Sequence, residues 1–109
     1  MKPECEMMFS VLDDYLVTLD ARRHELNKFP IEENVYKHTC MVEVVNQLKE
    51  LVTLSDHTYG QNSAEPNDIF FDYFLDLEYR IQNSKGKAKK LFLEYLASAN
   101  YIYDRVFCG

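Results

Sequence analysis

The chain has 109 residues, 47% hydrophobic and 28% charged, with a formal net charge of -6. That balance fits one folded soluble domain, 1–109, and excludes a disordered chain. It also disfavours general attraction to DNA, RNA or anionic lipid.

From about Glu4 to Asn27, Cys5, Met8, Phe9, Leu12, Tyr15, Leu16, Leu19 and Leu26 recur at three- and four-residue spacing. This is one apolar helix face. Pro3 suits the first turn, and Phe29-Pro30 stops the helix, because a residue before proline avoids helical geometry. A second helix is predicted from about Glu32 to Leu54, with Val35, His38, Met41, Val42, Val45, Leu48 and Val52 on its apolar side. Glu32 and Glu33 favour its N-terminal end through the helix dipole.

Residues 55–65 are polar, contain glycine and lack periodicity, which predicts a surface loop with room for a short extra turn. Pro66 and Asn67 open a third helix to about Asn83, capped by Asn67 or Asp68. Phe70, Phe74, Leu77 and Ile81 form its main apolar face, widened by Phe71, Leu75 and Tyr79. A helix apolar over so much of its girth either sits centrally or places surplus aromatics in an interface. Ser84-Lys85-Gly86 breaks it. The fourth helix, about Lys87 to Phe107, carries Ala88, Leu91, Phe92, Tyr95, Leu96, Ala99, Ile102 and Val106 as its stripe. Four amphipathic helices in one domain predict an all-α antiparallel four-helix bundle.

Chemistry-bearing motifs are few. The residues three before His24, His38 and His57 are Ala21, Val35 and Leu54, so the Glu-x-x-His pairs of di-iron bundles are missing. His38 falls on an apolar face as a core or boundary histidine, and His24 beside Arg22 and Arg23 is expected outside. Cys5, Cys40 and Cys108 lack metal or disulfide-framework spacing and read as reduced thiols, with Cys108 exposed. No glycine-rich nucleotide loop accompanies Lys85, Lys87, Lys89 and Lys90, which read as a solvated turn. The basic segment leads into an aromatic, acidic helix, unlike a DNA-reading helix. Neither an enzyme nor a cofactor or metal site is expected. The N-terminus lacks a signal-peptide core, and no apolar run of about 20 residues could span a bilayer, so a cytoplasmic protein is expected.

Charge is divided along the chain. Between Tyr59 and Asn83 lie Glu65, Asp68, Asp72, Asp76 and Glu78 against Arg80 alone, while the bases concentrate after Ser84. On a helix Asp68, Asp72 and Asp76 stack along one edge, where like charges repel by a few tenths of a kcal/mol per pair. A solvated face is one reading of this ridge, and internal pairing with Lys87, Lys89 and Lys90 is another. The third is a contact surface, since interfaces favour tyrosine anchors within complementary charge.

The expected partner is therefore a basic protein, met by Glu65, Asp68, Asp72 and Asp76 through charge and by Tyr73 and Tyr79 through buried contact. The corresponding function is a small acidic inhibitor, an immunity protein that neutralises a basic toxin or nuclease by occluding its active site. The alternatives are a self-associating helical scaffold or regulatory subunit, and a virus-encoded anti-defence protein whose acids imitate a nucleic-acid backbone.

Overall fold

Pro3 and Pro66 each occupy the start of a helix, where a missing N–H is harmless and the fixed φ is already helical. Four helices result: α1 (Pro3–Lys28), α2 (Glu32–Tyr59), α3 (Pro66–Gln82) and α4 (Gly86–Phe107). The computed structural model describes residues 2–59 and 65–108, with side chains described outside 56–59. Among the described residues there is no strand, and the helices form the expected four-helix bundle.

The predicted helices are all present, with shifted ends. The second helix continues through 55–59, which the sequence reading assigned to a polar loop. Lack of periodicity there did not prevent helix propagation, which gains one backbone hydrogen bond per added residue. The possible extra turn falls on 60–64, outside the described residues. At the α3–α4 turn Gly86 has φ +62, a left-handed conformation that side-chain-bearing residues avoid.

Cross-helix contacts fix the directions. Lys49 pairs with Asp13, and His38 Nε2 donates to the Leu19 carbonyl oxygen at 2.7 Å, so α1 and α2 run antiparallel. Phe70 meets Tyr103 and Phe107, whereas Arg80 lies over Phe92, so α3 and α4 are also antiparallel. Lys90 lies over Tyr36, and the Tyr95 hydroxyl donates to the Glu43 carboxylate, so α2 and α4 run in the same direction. The α1–α2 turn and the α3–α4 turn therefore share one end of the bundle. Lys2 pairs with Glu65 at the other.

The core is a continuous cluster drawn from all four helices. Met8, Leu12 and Leu19 of α1 meet Val44, Leu48 and Val52 of α2, with Phe70 and Ile102 from α3 and α4. Burying each such side chain contributes about 1.5–3 kcal/mol. Phe70 is edge-on to Tyr103 at 5.3 Å and to Phe107 at 5.8 Å, the geometry aromatic quadrupoles favour. Two details of α2 differ from the sequence reading. Val35 lies at the exposed bundle end, and Cys40 and Val44 take buried positions. Cys5 is buried and Cys108 exposed, as expected, and burial raises the pKa of the Cys40 thiol.

Candidate protein-binding face

The first turn of α3 is fastened by its own acids. Glu65 is the N-cap, in place of the expected Asn67 or Asp68, and its backbone N–H donates to Asp68 Oδ2 at 3.2 Å. The Glu65 carboxylate accepts from the Asp68 backbone in return, completing a reciprocal capping box. Lys2 Nζ donates to Glu65 Oε1 at 3.0 Å, and this bond raises the lysine pKa. Glu65 and Asp68 thus hold the helix start as well as marking the end of the acidic ridge.

Further along, Asp76 accepts a 2.8 Å hydrogen bond from Arg80 Nε one turn away. Asp72 is exposed and has no partner among the described residues. Lys87, Lys89 and Lys90 form no ion pair with the ridge there, and Lys90 reaches across to the Tyr36 ring instead, at 5.1 Å. The ridge is therefore outward-facing and partly tied to Lys2 and Arg80, in exposed pairs of a kind worth at most about 1 kcal/mol.

The two tyrosines of the expected contact surface part company. Tyr79 is 67% exposed. Tyr73 is only 7% exposed, and its hydroxyl donates to Gln47 Oε1 at 2.5 Å. A helix turns about 100° per residue, so Tyr73 sits about 140° round from Asp68, against α2. Burial pushes the Tyr73 hydroxyl well above its ordinary range. Its place as a surface anchor is a correction: Tyr73 couples α3 to α2.

Its place outside is taken by residues the sequence reading used to widen the buried face. Phe71 is 61% exposed and Leu75 48%, and with Tyr79 they follow one another at four-residue intervals. Asp68, Asp72 and Asp76 flank this stripe along one edge, with Glu78 on the other side. Phe107 is partly exposed and packs on Phe70, extending aromatic surface from the same region onto α4. The outer face of α3 is thus an apolar strip two turns long, with a row of three acids along one edge and Glu78 on the other.

Behind Asp76 and Arg80 opens a groove of about 1000 Å³, with α2 and α3 as walls. Gln47, Leu51, Tyr73, Leu77, Phe92 and Tyr95 line it. Its two tyrosine hydroxyls are engaged: Tyr73 donates to Gln47 and Tyr95 to Glu43. At the rim, Lys49 is paired with Asp13 and lies over Phe9, while Arg80 is paired with Asp76 and lies over Phe92. Burial raises the Tyr95 pKa first, and the hydrogen bond to Glu43 adds to it, so both groove hydroxyls stay protonated at neutral pH. The groove offers mainly aromatic surface, and among its lining residues Glu50 is a charge without an ion-pair partner among the described residues.

Among the described residues no group of three His, Cys, Asp or Glu side chains is placed to hold a metal ion. No described helix is long and apolar enough to cross a membrane. Compared with known proteins, the chain matches no family model, no curated protein and no solved structure.

Proposed function

We propose that this chain is a protein-binding inhibitor that uses the outer face of α3 against a basic partner. In its concrete form it is an immunity-type protein of the cytoplasm that neutralises a cationic toxin or nuclease by covering the positive groove meant for substrate. The observation that carries this reading is the exposed strip of Phe71, Leu75 and Tyr79 beside Asp68, Asp72 and Asp76. Apolar residues provide the contact that excludes water, and the acids select a cationic surface and hasten encounter.

Self-association through the same strip is the second reading, favoured by the exposure of Phe71 and Leu75. Symmetry weighs against it. With antiparallel copies of α3 a two-fold axis sets ridge against ridge. With parallel copies it sets each ridge against the partner's Glu78 margin. Either arrangement brings acids together, which disfavours the dimer and favours a cationic partner.

The test uses the partner retained by the intact chain at low salt and measures both its enzymatic inhibition and its binding kinetics. In Asp72→Asn with Asp76→Asn, association should slow and lose part of its salt dependence. In Phe71→Ser with Leu75→Ser, dissociation should quicken about tenfold or more, since each lost apolar contact removes roughly 1 kcal/mol or more. Helical circular dichroism should be unchanged in both. Affinity unaltered in both variants overturns the reading.

A further inference from the structure

The bundle end shared by the α1–α2 and α3–α4 turns differs in charge from the rest of the molecule. Arg22, Arg23, Lys28 and Lys37 lie within about two turns of it on α1 and α2, and all are exposed. Lys85, Lys87, Lys89 and Lys90, also exposed, begin α4 at the same end, where Lys90 meets Tyr36 of α2. These are eight of the twelve lysines and arginines in a chain of net charge -6. None of the eight forms an ion pair among the described residues, whose salt bridges use Lys2, Lys49 and Arg80. Glu25, Glu32 and Glu33 are the acids of the same turns of α1 and α2. On α3 Arg80 is paired with Asp76 while Glu78 adds one more acid, five acids against the eight cations and Arg80. The end is therefore clearly cationic while the remainder is strongly acidic.

Helix stability does not explain the α4 lysines. Cations are unfavourable at a helix N-terminus, yet its first turn holds no acid and no side chain caps it. Its leading N–H groups are left for acceptors outside the helix.

At the tip of this cationic end is the connection Phe29-Pro30-Ile31. Phe29 is 80% exposed and Ile31 59%, with Val35 partly exposed beside them. An apolar point set among unpaired cations has a specific complement: hydrocarbon beneath a layer of negative headgroups. A nucleic-acid backbone would satisfy the charges and leave Phe29 and Ile31 without a role, and an acid-flanked protein surface has no layer for them to enter.

We infer that this end of the bundle docks on anionic membrane surfaces, with Phe29 and Ile31 entering the headgroup–acyl boundary and the lysines and arginines meeting lipid phosphates and carboxylates. The helices stay outside the bilayer, and the acidic face of α3 is left available on a different side of the molecule. Attraction is local: the basic end approaches first and the acidic remainder is held beyond a Debye length of about 10 Å.

Co-sedimentation of the full chain with phosphatidylcholine vesicles, with and without phosphatidylserine, tests this. Binding is expected only with phosphatidylserine and should weaken as salt rises. Lys87→Gln with Lys89→Gln should lower the partition coefficient about tenfold or more, given that each juxtamembrane cation carries about a factor of five. Phe29→Ser with Ile31→Ser should lower it by a similar factor, and Asp72→Asn with Asp76→Asn should not lower it. All these positions are exposed, and circular dichroism verifies the fold of each variant. A duplex DNA fragment, followed by fluorescence anisotropy, provides the competing arm. Failure to bind phosphatidylserine vesicles overturns the inference, as does binding indifferent to both the lysine and the Phe29/Ile31 changes. DNA binding that survives Phe29→Ser with Ile31→Ser, without vesicle binding, assigns the end to nucleic acid instead.

Discussion

Tyr73 and Tyr95 join α3 and α4 to α2 through hydroxyls donated to Gln47 and Glu43. Both hydroxyls ordinarily titrate at 10.0, and in the folded chain both are raised, with burial as the first cause. A raised folded value means the unfolded chain gives up its protons first as pH climbs. The stabilisation is thus whole below about pH 10 and is lost as pH rises through the folded values. Urea midpoints should begin to fall near pH 9, where the buried Cys40 thiol is the first to lose its stabilisation. They should fall further above about 10, with that second fall less steep in Tyr73→Phe with Tyr95→Phe. At neutral pH Tyr73→Phe should lose about 1 kcal/mol, because it leaves the half-buried Gln47 without its donor, and Tyr95→Phe should lose less, because water can reach the exposed Glu43 carboxylate. Gly86→Ala makes a cleaner case of backbone strain. An added Cβ there meets open space, so a loss of about 1–2 kcal/mol would come from φ +62 alone.

α3 shows what could and could not be read from the amino-acid order. Its existence is plain from Phe70, Phe74, Leu77 and Ile81, because a 3.6-residue period has one solution. Its rotation is not, because Phe71, Tyr73, Leu75 and Tyr79 make nearly the whole girth apolar. Which of these turn inward is decided by α2 and α4: Gln47 takes the Tyr73 hydroxyl, while Tyr103 and Phe107 fix Phe70. Two tyrosines six residues apart thus looked equivalent and ended on different sides. The cap was missed for a local reason, since Glu65 and Asp68 form their reciprocal box from acids in place of the usual Ser or Thr opener. Asp68→Ala should therefore cost about 1 kcal/mol in thermal or urea unfolding. It should cost far less in a Glu65→Ala background, where the box is already broken, a coupling a double-mutant cycle would read. The groove was illegible altogether, because it depends on the spacing between α2 and α3.

At the scale of the molecule, the two signs of charge are arranged on different surfaces, each beside exposed apolar residues: an acidic margin along α3, a cationic bundle end, and a net charge of -6 over all. The sequence displayed the lysines of α4 as a short cluster; only the topology brings Arg22, Arg23, Lys28 and Lys37 to the same end. This arrangement makes a definite statement about self-association. Two copies meeting through Phe71, Leu75 and Tyr79 must bring acidic margins together, and that repulsion reaches about 10 Å at 0.1 M salt but only about 3 Å at 1 M. Sedimentation velocity should therefore show a monomer at physiological salt and a weak, concentration-dependent dimer near 1 M. Asp72→Asn with Asp76→Asn should bring the dimer in at lower salt, and Phe71→Ser with Leu75→Ser should abolish it. A dimer indifferent to salt would mean that apolar contact outweighs the acids, returning the scaffold reading to first place. A dimer that forms at low salt and dissolves as salt rises would report a different contact, the basic end of one copy against the acidic ridge of the next.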